Sequence, residues 1–417
     1  MKRLWRRLLK AEESAWRIHC ISSSANRQKI GIRLQVRMNR ALRKIPALII
    51  FTLIIAIMSF ILIYAGHFLF EEKVDEEKKE EPGPVEILPP PVNYLRLKET
   101  INGNKQEINI LEIDPGSEKV RVKPVLSFDS IFGFEKLTEI AARSNAYAAV
   151  NAGFFYEYGQ PSGMVMIDGK LISASTGEYP VFIIAGGKAE LKEIDMELRL
   201  SYGTGEIEID SMNTLGNSGK AVVYTREFGT TNRAETENIT VTVRNNKVES
   251  ISEYSGEVSI PKDGFLLTFY KPYRYDLSNM PIQEGERVEL IQAPALGEDA
   301  QAYECGDWIV KDGQIVIGER SKWVGSLENR DPRTAIGIKA DGTIVLMTVD
   351  GRQPEHSVGF TGKELGDFLL KYGVVNAAML DGGASTEMVL EGNIVNRPSY
   401  KGAERLVAGA FVVIMED

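Results

Sequence analysis

Residues 333–350, RTAIGIKA-DG-TIVLMTVD, with their continuation through TGKELGDFLLKYG (361–373) to VVNAAMLDGGAST (374–386), decide how this chain is read. Two β-rich runs flank Asp341-Gly342, a dipeptide favoured in two-residue hairpin turns because both central residues need positive φ. In such a hairpin Ala340 faces Thr343, and counting outward places Arg333 opposite Asp350, with Cβ atoms roughly 5 Å apart. Guanidinium and carboxylate are therefore expected to meet at the open end. TGKELGDFLLKYG then reads as a helix: Thr361 and Glu364 form a capping box, Leu365, Phe368, Leu369 and Tyr372 make an apolar stripe, and Gly373 closes it. VVNAAML follows as a buried strand.

Strand, helix, strand implies a right-handed crossover between parallel strands. Asp350 and Asp381 then both sit at carboxyl ends of strands in one sheet, where ligands bind in such sheets. Gly382-Gly383 lets backbone approach a ligand and aim N–H groups at an anion, and Ser385 and Thr386 supply hydroxyls. Taken singly, the arginine and aspartate could be a structural ion pair and Asp381-Gly382 a plain turn. Their coincidence at one sheet edge favours a site. The expected fold is α/β (mixed α+β), a mixed β-sheet with flanking helices forming a single catalytic domain, preceded by one transmembrane helix.

Several runs also resemble a known family. NAGFF (151–155), PRTAIG (332–337), VDGR (349–352), DGGAST (381–386) and ERLVAGAFVV (404–413) are similar to the phosphodiester glycosidase family, in order, over roughly residues 95–417. Two positions depart from its pattern. Ala384 stands where a third Gly is usual and is expected to narrow the turn's backbone freedom; Glu387 replaces a small hydroxylic residue and is expected to add negative charge beside a phosphate. The resemblance implies a hydrolase acting on a sugar-1-phosphodiester of phosphorylated glycans, in the cell envelope or exopolysaccharide. Asp381 would activate water or attack the anomeric carbon, and Asp350 would support the oxocarbenium-like transition state, the two roles being exchangeable. Arg333 and the N–H groups of Gly382 and Gly383 would hold phosphate, with Ser385 and Thr386 assisting. Asn151 and Arg405 would orient sugar or phosphate.

The remaining sequence bounds the chemistry. Residues 1–44 carry thirteen Lys or Arg against Glu12 and Glu13; with the whole chain at −9, the remainder carries −20. An acidic body repels polyanions, so no nucleic acid is expected as partner. Pro46 to Phe70 is a 25-residue run free of formal charge, long enough to span a hydrocarbon core of about 30 Å and longer than a secretory signal's apolar region. Basic residues before it and EEKVDEEKKEE after it place the amino terminus in the cytoplasm and the body outside. The expected organisation is a basic tail (1–44), a signal anchor (45–70), a charged and Pro-rich stalk (71–93) and an extracytoplasmic domain (94–417). Oligomeric state does not follow from the sequence.

Cys20 and Cys305 lie on opposite sides of that span and cannot pair, so Cys305 reads as a buried packing residue. With three histidines, only His356 lies in the body, so carboxylates must carry the chemistry and a His-rich zinc site is excluded. No cofactor is expected, although Asp350 and Asp381 could give oxygen ligands to Ca²⁺ or Mg²⁺. Two other classes remain open: a non-catalytic envelope module that binds phosphorylated glycans, and a metal-dependent phosphoesterase.

Overall fold

The computed structural model describes residues 55–59 and 90–416. Residues Leu88–Asp417 form one compact unit and Met1–Ile87 are assigned to another. Residues 55–59 are helical; the rest of the expected basic tail, anchor and most of the stalk lie outside the described residues. Among the described residues no helix is long and apolar enough to cross a membrane.

The larger unit is built mainly of antiparallel β-sheet. The elements that frame the site are β1 (Val92–Ile101), β2 (Asn104–Ile113), β3 (Val120–Leu126), α1 (Leu137–Arg143), β4 (Ala148–Asn151), β5 (Trp308–Lys311), β6 (Arg333–Lys339), β7 (Ile344–Val349), α2 (Gly362–Lys371), β8 (Val374–Met379), β9 (Met388–Leu390) and β10 (Gly409–Met415). A seven-stranded sheet runs in the order β1-β2-β7-β6-β8-β5, with the short strand Gln314–Ile315 at its edge. A five-stranded sheet places Asn393–Ile394, β9, β4, β10 and β3 side by side. Ile336, Leu346 and Ala378 of the first sheet share a buried core with Val150, Met388 and Phe411 of the second. Further sheets between residues 165 and 304 close over a separate apolar core.

The expectation of an α/β body with a mixed sheet is therefore corrected. Every strand pair of the seven-stranded sheet is antiparallel. The crossover through α2 exists, and β7 and β8 do run the same way, but β6 lies between them and pairs antiparallel with both. Only one strand–helix–strand unit could be read, and hairpins build most of the rest. Those at Asp168-Gly169 and Asp312-Gly313 have positive φ at both turn residues, as their sequences predict.

Local signals for the helix hold. The Thr361 hydroxyl accepts from the Glu364 N–H at 3.1 Å, and the Glu364 carboxylate accepts from the Thr361 N–H at 3.0 Å. Leu365 and Leu369 are fully buried against one face of the large sheet, each worth roughly 1.5–3 kcal/mol of apolar burial. Gly373 takes the left-handed conformation that ends the helix.

Candidate functional site

The hairpin register differs from expectation by one residue, with consequences for the site. Lys339 N–H donates to Thr343 O and Gly342 N–H to Lys339 O, so the loop holds three residues, with Gly342 at φ 93°. This is the three-residue hairpin in which the last loop residue is left-handed. Arg333 consequently faces Val349, not Asp350. Its guanidinium is buried and donates to the carbonyls of Phe360 and Asn329, each at 2.9 Å. Burial holds its pKa below the usual arginine value.

Asp350 is closed in by donors. It is 1% exposed and accepts from His356 Nε2 at 2.7 Å, Asn396 Nδ2 at 3.0 Å and the Arg397 N–H at 2.9 Å. Both carboxylate oxygens are engaged, so this group fastens the 351–358 and 396–397 segments to the end of β7. His356 Nδ1 lies 3.9 Å from the buried Glu107.

Asp381 is built differently. It follows β8 by two residues and is only partly buried. Burial raises its pKa to about 6, against the opposing pull of the Ser385 hydroxyl, the Arg405 charge and the Gly382 N–H. Its main chain is clamped: its N–H donates to Ala152 O at 3.1 Å, and its carbonyl accepts from Asn151 Nδ2 at 2.6 Å. Asn151 spends the rest of its amide in the same cause. Its Oδ1 accepts from Thr334 Oγ1 at 3.0 Å and from the Glu387 N–H at 3.1 Å. Asn151 therefore holds the Asp381 turn from beneath instead of offering a free amide.

The turn itself carries the predicted glycines and hydroxyls. Gly383 has φ 61°, a conformation that suits glycine, and its N–H donates to Pro332 O at 2.9 Å. Ala384 lies in the short 3₁₀ turn Gly383–Ser385 without positive φ, so the missing third glycine costs nothing here. Ser385 accepts from Arg405 Nη1 at 2.8 Å, while Thr386 is buried with its hydroxyl 3.2 Å from that of Thr334.

Sequence reasoning did not assign Arg352 a role. It follows the Asp350-Gly351 turn at φ 60°, donates from Nε to Asp331 at 2.8 Å, and is half exposed. A Cβ on Gly383 would lie 3.2 Å from its Nη2, so the guanidinium sits directly on the turn. Its place in VDGR was the available signal. Asn396 and Arg397 gave none, because nothing local ties them to Asp350 across 46 residues. Arg352 and Arg405 thus stand on the two ends of the Gly383–Ser385 turn, and Arg333 lies beneath it at the start of β6.

Glu387 is fully buried, and burial lifts its pKa to about 8. It is therefore largely neutral at pH 7 and adds little of the negative charge expected from it. Its Oε1 accepts from the Arg405 N–H at 2.6 Å, and Oε2 has no partner. Cys305 is buried, which pushes its thiol pKa up, as suits a packing residue. Among the described residues no group of three or more His, Cys, Asp or Glu side chains is arranged to hold a metal ion.

Residues 237–414, which include all of this geometry except Glu107, Asn151 and Ala152, match the family described as Phosphodiester glycosidase. That segment belongs to the phosphodiester glycosidase family. A prophage-derived protein of Bacillus subtilis (strain 168) is 31% identical over 205 residues, 46% of this chain and 31% of that one. N-acetylglucosamine-1-phosphodiester alpha-N-acetylglucosaminidase of Bos taurus is 36% identical over 104 residues, 22% of this chain and 19% of the enzyme. The chain thus spans under a third of the length of either relative. A Synechocystis protein of solved structure shares the fold, with a TM-score of 0.67 at 21% identity over 78% of this chain and 62% of its own.

Proposed function

We propose that the protein hydrolyses the bond between an anomeric carbon and phosphate in a sugar-1-phosphodiester, with Asp381 as the reacting carboxylate. The observation that carries this reading is the environment of Asp381: a partly buried carboxyl of raised pKa, set on a clamped turn between two guanidinium groups. Water attacks the anomeric carbon while Asp381 takes its proton; the carbon–oxygen bond breaks and its electron pair leaves with the phosphate monoester. That leaving group needs little acid assistance, because the second pKa of a phosphate monoester is about 6. Arg352 and Arg405 stabilise the charge gathering on it, whereas the Gly383 N–H is already given to Pro332 O and the Gly382 N–H to the Asp381 carboxylate, so the expected N–H donors are not free. Asp350, with both oxygens engaged, frames the site, so the two aspartates do not exchange roles in this reading.

Membrane attachment and an envelope glycan as substrate are part of the same proposal. They rest on the uncharged run 46–70, the opposite charges on its two sides and the family assignment. A non-catalytic glycan-binding module would not need a carboxyl of raised pKa at the phosphate turn.

The purified full chain, incubated with a panel of sugar-1-phosphodiesters, is expected to release free reducing sugar, and Asp381→Asn to lose about 10²–10⁴-fold in turnover. Saturable binding without release from any of the panel would replace hydrolysis with the binding module. Release abolished by chelator and restored by a divalent ion would favour the metal-dependent phosphoesterase.

A further inference from the structure

Every aromatic side chain that is strongly exposed among the described residues lies in one of three loops, around residues 128, 156–158 and 400. These are Phe128 (63%), Tyr156 (49%), Tyr158 (63%) and Tyr400 (46%). Exposed aromatic rings scattered at random over a unit of this size would not all fall in three loops, two of them beside the candidate turn.

Contacts of their chain neighbours set the Tyr400 and Tyr156–Tyr158 loops beside that turn, and Phe128 beside the Tyr158 loop. Tyr400 follows Ser399, whose hydroxyl donates to Gly383 O at 3.3 Å. Tyr156 follows Phe155, whose ring lies under the Arg405 guanidinium at 5.8 Å, and packs on Trp323 at 5.4 Å. Tyr158 and Phe128 meet through Gly133: its N–H donates to Tyr158 O at 2.9 Å, and a Cβ there would come within 2.9 Å of the Phe128 ring.

Two of the four are held in a conformation that residues of their kind avoid. Phe128 has φ 54° and Tyr158 φ 69°. Neither ring is buried, so packing of the ring does not account for the strain; the loops are pinned around them. Tyr156 N–H donates to Gln160 O at 2.8 Å, and a Cβ on Gly159 would meet Gly133 O at 2.2 Å. Strain kept by a well-fixed loop at an exposed side chain points to use of that side chain.

We propose that Phe128, Tyr156, Tyr158 and Tyr400 form a rim that stacks against sugar units continuing from the cleaved one, so that the substrate is an oligosaccharide or polysaccharide. The inference rests on the hydrolytic reading above and names its substrate class. Three of the four rings are tyrosines, which pair a flat apolar face with a hydroxyl, the combination a pyranose presents in return. Their neighbours in the chain, Asp129, Glu157 and Lys401, leave no basic excess for an anionic membrane surface.

The test compares 1-phosphodiesters of a monosaccharide, a trisaccharide and a hexasaccharide, using the full chain. Wild type is expected to lower KM as the saccharide lengthens. Phe128→Asn and Tyr158→Asn remove rings while keeping a residue that tolerates the left-handed backbone, and Tyr156→Ala and Tyr400→Ala remove the others. Each is expected to raise KM for the hexasaccharide about three- to tenfold and leave monosaccharide turnover unchanged. An absence of length dependence in wild type, or an equal loss on all three substrates, overturns the rim; so does wild-type binding to phospholipid vesicles that the same variants abolish. Should wild type release no sugar from any substrate, the hydrolytic reading fails instead. Retardation in gels containing soluble polysaccharide then decides the rim: loss of retardation in the variants supports it, and unchanged retardation, or none in wild type, overturns it.

Discussion

The side-chain amide of Asn151 donates to the main-chain carbonyl of Asp381 at 2.6 Å, joining the end of β4 in one sheet to the end of β8 in another. The contact is between a side chain and a backbone, so it fixes where the Asp381 carboxyl stands without touching the carboxyl itself.

A raised pKa on Asp381 sets the pH profile. The base must be ionised, and its pKa in the folded protein is about 6, so kcat/KM should climb from pH 5 to pH 7 with a midpoint near 6. A midpoint near 4, the value of an ordinary carboxyl, would remove Asp381 from the role of base.

Asp350 should matter to stability. Asp350→Asn puts an amide where only acceptors fit, against the donors of Asn396 and Arg397. The expected loss is about 2–4 kcal/mol, read as a lower midpoint in urea with an unchanged slope. A variant as stable as wild type would show that the bonds around Asp350 do not hold the 351–358 and 396–397 segments.

Arg352 is exposed enough to reach a ligand and sits on Gly383. Arg352→Ala should raise KM for a phosphodiester about 10- to 100-fold, the worth of one charge-assisted hydrogen bond, with a smaller effect on the melting temperature. Unchanged kinetics would reduce its contact with Asp331 to a surface ion pair.

Glu387 predicts the opposite pH trend in stability. Its folded pKa of about 8 lies above its ordinary 4.5, so it favours the protonated state. Its contribution is complete below about 4.5 and is lost as pH rises through 8. Glu387→Gln keeps the acceptor for the Arg405 N–H and cannot ionise, so denaturation midpoints should fall less between pH 6 and pH 9 than in wild type. Identical slopes in both proteins would count against a neutral Glu387.

What could be read in advance was local. The Thr361 and Glu364 cap and the helix it opens between two strands follow from neighbours in the chain. Strand order was not local. The insertion of β6 between β7 and β8 depends on pairing across the whole sheet, and a periodicity of two marks a strand without naming its partner. The hairpin illustrates the cost of one residue: a third loop position turned Arg333 from a partner of Asp350 into a donor to the carbonyls of Phe360 and Asn329. Burial was equally hidden, and it separates the two aspartates more than any motif does.

The Gly383–Ser385 turn also carries the chain from β8 to β9, from one sheet to the next. The reacting group is therefore mounted on a hinge pin. Any slip of one sheet against the other, whether from heat, a distant core substitution or a ligand on an outer face, moves Asp381 relative to Arg405, which leads into β10, before either sheet has come apart. Activity should accordingly report on the alignment of the two sheets, and fade on warming ahead of the loss of β structure.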